Sequence, residues 1–304
     1  MRRPGLMRSV FRLPPLLWFL LFLPNLRGWT QETIEAPRAD GAKTPMRVYS
    51  PNVTGCAPLA IISHGAGGSE DGYQYLARGL RDQGWTAIVV GHRESGRKVL
   101  RRAVLRHGMD GGVTQMVTDA EEYKARFMDI SAALAWAMAR CKPPYTALLG
   151  HSMGARTVML EAGAKNNLGL APPASAQDRF DAYVAMSPSG PDAVSPPHAW
   201  QNIRKPLLIL TGTRDQALNG DWRTRTAPFY DLPPGCHWLG VIDGASHLNF
   251  AGMGFGARRT ESLALPVIYA FLDGARRGNC VLPPATPGIM VKAQSSVGPH
   301  HAEN

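Results

Sequence analysis

The stretch ALLGHSMG at residues 147–154 decides the fold of this chain. Apolar residues lead into a Gly-x-Ser-x-Gly pattern whose serine is Ser152, and a segment with helical spacing follows. A serine on a sharp strand-to-helix turn projects its hydroxyl out of the chain, and the flanking glycines let neighbouring backbone come close. Because the pattern alone also arises by chance, the strand before it and the helix after it carry the prediction that Ser152 is a nucleophile.

Working outward from this turn, apolar runs typical of buried strands alternate with longer segments of helical spacing. This alternation predicts the α/β class, with a mostly parallel central sheet and helices on both faces. The predicted strands are Met46–Tyr49, Leu59–Ser63, Thr86–Gly91, Tyr145–Gly150, Ala182–Met186, Leu207–Thr211 and Trp238–Asp243. The predicted helices are Tyr73–Gln83, Ala120–Arg140, Met153–Ala164 and Pro266–Arg276.

The two ends of the chain differ in composition from its middle. Residues 1–30 combine a basic start with an apolar run of about ten residues, the pattern of a signal peptide, with an uncleaved anchor as the alternative. We expect one domain over residues 31–281 and, where Pro, Gly and Ser dominate, a disordered tail over 282–304. The signal predicts a secreted or periplasmic protein that touches a membrane only through its N-terminal segment.

The net charge excludes one class of partner. The formal charge is +10, but residues 1–30 contribute five arginines and no acid, which leaves +5 for the rest. No basic stripe interleaved with aromatic residues accompanies this mild excess, so we do not expect nucleic-acid binding.

Two further residues complete a candidate catalytic unit in the chain order serine, acid, histidine. Asp215 follows the strand 207–211 and His247 follows the strand 238–243, so both lie at the carboxyl edge of the sheet, where open α/β sheets place their sites. The histidine would take the serine proton and the carboxylate would orient the imidazole. Asp192 is the competing acid, whereas Asp243 is interpreted as structural.

The loop His64-Gly65-Ala66-Gly67-Gly68 follows the strand 59–63. In a hydrolase such a loop supplies one backbone N–H to the oxyanion, and the residue after the nucleophile supplies the other. We therefore predict the amides of Ala66 and Met153 as the oxyanion hole. A plain glycine turn is the alternative, and His64 is interpreted as a structural histidine.

Taken together, the motifs at residues 64–68, 150–154, 212–215 and 245–247 resemble the dienelactone-hydrolase-like and platelet-activating-factor-acetylhydrolase-like branch of the α/β-hydrolases. Arg126-x-x-Asp129-Ile130 also fits that branch, and the resemblance spans about residues 45–277. It implies the α/β-hydrolase fold and hydrolysis of small-molecule carboxylic esters without cofactor or metal. The dienelactone hydrolases proper carry cysteine where this chain has Ser152, which favours an ordinary serine esterase.

Two other functions remain open from the sequence. A serine peptidase can use the same three residues, although the chain lacks room for the large extra domain common in oligopeptidases of this fold. A catalytically silent binding protein of the same fold is disfavoured because every member of the unit is present. The oligomeric state cannot be read from the sequence.

Two features lie on the substrate side. Residues 97–107 carry five cations and are either a basic lid that favours anionic esters or a solvated amphipathic helix. Four aromatic residues near the strand that delivers the acid either line an acyl pocket or belong to the core. These are Trp200, Trp222, Phe229 and Tyr230.

The four cysteines, an even number in an exported chain, predict disulfides. Cys56 and Cys141 each precede one of two strands expected to be parallel neighbours, at a spacing that a disulfide can bridge. Cys236 precedes the last predicted strand, and Cys280 follows a helix that should return to the same edge. We predict the pairs Cys56–Cys141 and Cys236–Cys280. The alternative is four buried thiols.

Overall fold

The structure, a computed structural model, describes residues 30–171, 179–216 and 220–294. These residues contain a nine-stranded sheet flanked by helices. The strands are β1 (Thr30–Pro37), β2 (Lys43–Ser50), β3 (Leu59–Ser63), β4 (Thr86–Val90), β5 (Thr146–His151), β6 (Ala182–Met186), β7 (Leu207–Arg214), β8 (His237–Ser246) and β9 (Ile289–Ala293). The helices are α1 (Gln74–Asp82), α2 (Arg97–Thr118), α3 (Ala120–Arg140), α4 (Met153–Glu161), α5 (Ala227–Asp231) and α6 (Ala257–Arg276).

The sheet has the order β1-β2-β4-β3-β5-β6-β7-β8-β9. The six strands from β4 to β8 in this order are parallel, while β1, β2 and β9 pair antiparallel. The parallel strands are built from Ile, Val, Leu and Ala runs because side chains on both of their faces are buried. The prediction of a mostly parallel sheet is confirmed.

Two apolar clusters cover the two faces of the sheet. One joins residues of α3 and α4, such as Ile130 and Val158, to the strands. The other joins residues of α1 and α6, such as Leu80 and Phe271. Helices therefore lie on both faces, and the loops that leave the carboxyl ends of the parallel strands stay free to form a site.

Several boundaries differ from the predictions. Helix α6 begins at Ala257, nine residues before the predicted start, and Pro266 lies in its interior. The tail prediction is wrong over Ile289–Ala293, because these residues form β9 on the edge of β8. Strand β1, which pairs with β2, was also missed, because edge strands of mixed polarity carry little periodicity.

The proposed signal peptide and the last ten residues of the tail lie outside the described residues, apart from Thr30. In the part that the structure describes, no helix combines the length and the apolar content needed to span a bilayer.

The cysteines pair as the sequence predicts. Cys56 and Cys141 have Cα atoms 5.5 Å apart, and those of Cys236 and Cys280 are 5.6 Å apart. Three of the four precede the strands β3, β5 and β8, so both disulfides lie at the amino-terminal edge of the parallel strands.

Candidate active site

Ser152 occupies the turn between β5 and α4 with φ 56° and ψ −118°, a backbone conformation that non-glycine residues rarely adopt. The turn requires glycine on either side. A Cβ atom at Gly154 would lie 2.1 Å from the carbonyl oxygen of Ser63, and one at Gly150 would lie 2.3 Å from that of Gly154. The Ser152 amide donates to the Met186 carbonyl at 2.9 Å, which anchors the turn to β6.

The structure brings the three predicted catalytic side chains together. His247 Nε2 lies 2.9 Å from Ser152 Oγ, and His247 Nδ1 lies 2.9 Å from Asp215 Oδ1. Asp215 is fully buried, and its second oxygen accepts the Thr211 hydroxyl at 2.9 Å. This geometry can transfer the Ser152 proton to the imidazole while the carboxylate stabilises the imidazolium.

Arg225, which sequence reasoning missed, holds the acid in place. Its Nε lies 2.7 Å from Asp215 Oδ1, and its Nη1 donates to the carbonyls of Ser187 and Pro188 at 3.0 and 3.1 Å. Burial lowers the pKa of Arg225, partly offset by the Asp215 carboxylate. The guanidinium thus ties the loop after β6 to the acid. Arg225 lies in the short 3₁₀ helix Trp222–Thr226 before α5, and a lone arginine there gives no local signal for this role.

A second missed element is a chain of hydrogen bonds from the glycine loop to the histidine. The Gly65 amide donates to Tyr73 Oη at 3.1 Å, and Tyr73 Oη lies 2.8 Å from His151 Nδ1. His151 Nε2 lies 3.0 Å from the carbonyl oxygen of His247. Burial, and secondly His247, lowers the pKa of His151 well below its usual value. The neutral ring therefore donates from Nε2 to the carbonyl and accepts the tyrosine proton at Nδ1.

The glycine loop runs directly beside the nucleophile. A Cβ atom at Gly65 would lie 3.2 Å from Ser152 Cβ, so the backbone of the loop and the serine are in contact distance. Ala66 packs against an apolar cluster that contains Met153. Met153 opens α4, so its amide has no acceptor within the helix. The oxyanion role of the Ala66 and Met153 amides stays a prediction that this placement supports.

A buried polar network underlies the same loop. His92 Nε2 lies 2.8 Å from Ser63 Oγ and its Nδ1 lies 2.9 Å from Asp129 Oδ2. Arg126 Nη1 donates to the His64 carbonyl at 2.7 Å. Burial raises the pKa of Asp129 to about 6 and lowers that of Arg126 to about 10. Since all of these side chains are shielded from solvent, we interpret the network as the support of the loop.

The alternative acid is engaged elsewhere. Asp192 forms an ion pair with Arg156 and accepts the amides of Val194 and Ser195, both at 2.9 Å. Asp243 accepts the Thr213 hydroxyl at 3.1 Å. Neither carboxylate is the one bonded to His247.

A cavity of ≈ 320 Å³ opens beside Ser152 and His247. Its apolar lining comes from α2, α3 and the residue after the nucleophile, and its polar lining includes Arg156, Gln216 and Arg225. The apolar lining residues are Val113, Val117, Tyr123 and Met153.

The four aromatic residues predicted for an acyl pocket do not line this cavity. Trp200 and Phe229 are buried in the core, and Trp222 packs partly buried against the same cluster. Tyr230 is exposed. Aromatic composition could not say which way these side chains face, and the lining comes instead from α2 and α3.

The basic segment 97–107 forms the first half of α2, which continues to Thr118 with a non-helical residue at Gly108. Val99 and Leu100 pack against the cluster that contains Ala66 and Met153. The segment therefore lies next to the glycine loop. Its function as a lid stays a prediction.

No family model and no curated protein matches the sequence. Solved structures do match. A dienelactone hydrolase from Anabaena variabilis has 17% identity and a TM-score of 0.55, covering 78% of this chain and 96% of its own. An esterase from Pyrococcus furiosus has 14% identity and a TM-score of 0.54 over 81% and 90%. An α/β serine hydrolase without lid from Xanthomonas campestris has 19% identity and a TM-score of 0.51 over 84% and 97%. The chain therefore has the α/β-hydrolase fold.

Proposed function

We propose that the protein is a serine hydrolase that cleaves carboxylic esters through an acyl-enzyme on Ser152. The observation that carries the proposal is the continuous hydrogen-bonded line from Ser152 Oγ through His247 to the buried carboxylate of Asp215. A hydroxyl becomes nucleophilic when a base can take its proton as it attacks, and this line provides the base and its orienting acid.

In the first step the Ser152 proton passes to His247 Nε2 while Oγ bonds to the ester carbonyl carbon. The carbonyl oxygen becomes an oxyanion, which the amides of Ala66 and Met153 would stabilise by hydrogen bonds. When the intermediate collapses, the carbon–alkoxide bond breaks and the leaving oxygen takes the proton from Nε2. Water then repeats the sequence on the acyl-enzyme, giving the acid and restoring the Ser152 hydroxyl.

The cavity supports a substrate with an apolar part. Its lining combines two valines of α2 and Tyr123 with the cations Arg156 and Arg225, and Arg156 donates to the Val117 carbonyl at 3.2 Å. A cavity of ≈ 320 Å³ is at the small end of the volumes of ligand pockets, which favours a short or medium acyl group.

The proposed place of action is outside the cytoplasm. The two disulfides fit an oxidising compartment, and they agree with the export signal expected from residues 1–30. Edman sequencing of protein recovered from the periplasm or medium, starting beyond residue 27, would support this; a full-length cytoplasmic protein with reduced cysteines would contradict it.

A fluorophosphonate probe and a panel of p-nitrophenyl esters and peptides test the activity. Wild-type protein should label at Ser152 and hydrolyse esters, whereas Ser152→Ala should do neither while retaining its thermal transition. Labelling without ester turnover but with peptide cleavage would make the protein a peptidase. An unlabelled Ser152 would identify a silent binding protein.

A further inference from the structure

Half of the exposed large apolar side chains lie on two stretches that are next in sequence to residues lining the cavity. In the described residues, five of the ten exposed large hydrophobic side chains lie either on residues 97–109, which precede the lining residues Val113 and Val117 on α2, or on residues 248–255, which follow the lining residue His247. Helix α2 supplies the cavity wall and the loop after β8 supplies His247. On α2 these side chains are Leu105, with a relative exposure of 76%, and Met109, with 64%. After His247 they are Leu248 and Met253, each with 52%, and Phe255, which is fully exposed at 102%.

The same part of α2 is strongly basic. Five cations between residues 97 and 106 are exposed, and no acidic residue occurs from 95 to 109. In the part of the chain that the structure describes, none of the five forms an ion pair. They are Arg97, Lys98, Arg101, Arg102 and Arg106.

The cations and Leu105 share one face of the helix before the non-helical residue Gly108. Val99, Leu100, Ala103 and Val104 are half-buried on the inner side. Leu105 lies one turn beyond Arg101 and Arg102 on the outer side, so an apolar side chain is set among cations. A single exposed leucine is ordinary on a protein surface, but Leu105 is one of five exposed apolar side chains on the two stretches beside the site, and cations surround it.

Apolar side chains surrounded by cations match a membrane surface of anionic lipids. The apolar groups enter the boundary between headgroups and acyl chains, and the negative surface potential attracts each nearby cation, which adds to the binding free energy. The phosphates of a nucleic acid would engage the arginines but would leave Leu105 and Phe255 in water. The charge complementarity and the apolar residues together select one occupant.

We propose that two stretches beside the site, residues 97–109 of α2 and residues 248–255 after His247, dock on an anionic lipid surface; we call these two stretches the rim. The docking is a property of the surface alone. Only its consequence rests on the proposed function: an ester dissolved in the lipid would reach the cavity and Ser152 without crossing bulk water.

Co-sedimentation with vesicles tests the docking directly. Vesicles of phosphatidylcholine alone are compared with vesicles that also contain phosphatidylglycerol, using the Ser152→Ala variant so that no substrate is consumed. We expect binding to the anionic vesicles that weakens as salt rises, because exposed charges are screened within about 10 Å at 0.1 M. Equal binding to both vesicles, or none to either, would overturn the proposal.

Two variants assign the binding to the rim. Arg101→Glu with Arg102→Glu should lower partitioning onto anionic vesicles by about tenfold or more. Its matched control is Lys142→Glu with Arg204→Glu, which changes the net charge equally at exposed positions before β5 and β7, on the opposite edge. Leu105→Ser with Phe255→Ser should also weaken binding several-fold, whereas Val281→Ser, exposed near Cys280, should not. A control that loses as much binding as the rim variant would contradict the assignment.

The docking and the proposed activity fail separately. Vesicle binding by Ser152→Ala does not depend on catalysis, so it can be present in a protein without esterase activity. Suppose that the wild type hydrolyses soluble p-nitrophenyl esters, and that the rim variants hydrolyse vesicle-embedded esters as fast as the wild type does. The proposed activity is then supported, and docking is refuted as the route by which the ester reaches the site.

Discussion

His151 Nε2 lies 3.0 Å from the carbonyl oxygen of His247. The two rings are 4.7 Å apart between centroids, although 96 residues separate them in the chain. His151, the variable residue before the serine of the Gly-x-Ser-x-Gly pattern, therefore has a positioning role beside the nucleophile. It connects the turn that carries Ser152 to the backbone of the catalytic base, and through Tyr73 to the glycine loop.

Replacing Tyr73 by Phe tests whether the hydrogen bonds of Tyr73 to Gly65 and His151 contribute to catalysis. The change removes the acceptor of the Gly65 amide and the partner of His151 Nδ1, and an unsatisfied buried donor costs about 1–3 kcal/mol. We expect kcat to fall about tenfold or more with little change in KM. Steady-state kinetics on a soluble ester measure this. A loss seen only in thermal stability would mean that Tyr73 has a purely structural function.

The choice of acid is tested by two isosteric variants. Asp215→Asn should lower kcat by about 10³–10⁴-fold, because the amide no longer stabilises the imidazolium and favours the wrong tautomer. Asp192→Asn, which disturbs only the ion pair with Arg156, should lose far less activity. Kinetics of the two proteins side by side decide the assignment. The reverse ranking would transfer the role to Asp192.

The network under the glycine loop is tested through Asp129→Asn. This carboxyl accepts His92, Thr44 and Arg38, so its loss should destabilise the protein by about 3–5 kcal/mol and loosen the loop. We expect weaker affinity for a boronic acid that mimics the tetrahedral intermediate.

The matched control for the network is Glu161→Gln, which removes another buried carboxylate, paired with Arg179 at the end of α4 that is remote from Ser152. It should lower stability while leaving boronate affinity unchanged. Equal losses of affinity in the two variants would show that general destabilisation, and not the loop, is responsible.

Reducing the disulfides should affect stability more than activity. They close chain segments of 85 and 44 residues, each worth about 4 kcal/mol in the chain-entropy model, and both lie at the edge opposite to Ser152. We expect a lower thermal midpoint in reductant with ester turnover at room temperature largely retained. Non-reducing peptide mapping checks the pairing, and a peptide joining Cys56 to Cys236 would refute it.

His237 should make the fold sensitive to acid. It is buried at the start of β8 with no hydrogen-bond partner for either ring nitrogen, and burial lowers its pKa to about 4 from 6.5. In the unfolded chain His237 therefore binds a proton near pH 6.5, whereas in the folded chain it binds one only near pH 4. The contribution to stability is complete above pH 6.5 and is lost as pH falls through this window, at most by about 3 kcal/mol.

Chemical denaturation at several pH values measures this effect. His237→Phe should flatten the stability profile between pH 6.5 and 4. An unchanged profile in His237→Phe would contradict the prediction.

The parts of the site that the sequence predicts are those with a local pattern. Ser152 lies in a motif, and Asp215 and His247 each follow an apolar strand, so strand order alone brings them to one edge. Tyr73 and Arg225 have no such pattern. They reach the site through the packing of α1 and of the short helix before α5, and only the folded chain reveals that their polar atoms meet Gly65 and Asp215.

The prediction of an aromatic acyl pocket failed in the opposite way, because residues that the sequence assigned to the site lie elsewhere in the structure. Trp200 and Phe229 have the right composition and lie near the right strand, yet they face the core. The cavity is instead lined by Val113 and Val117, which sit far along α2 from the strand that precedes it. A long helix between two strands can place any of its turns over the site, and local periodicity does not say which.

Strand β9 covers a sheet edge that could otherwise pair with a strand of another molecule. It covers the outer edge of β8, where Val291 pairs with Gly240 and Met290 with Val241. A chain shortened to residue 281, where the domain was expected to end, would leave the N–H and C=O groups of β8 open to a strand of another molecule. Such a truncated protein would keep every residue of the site and would be prone to aggregate.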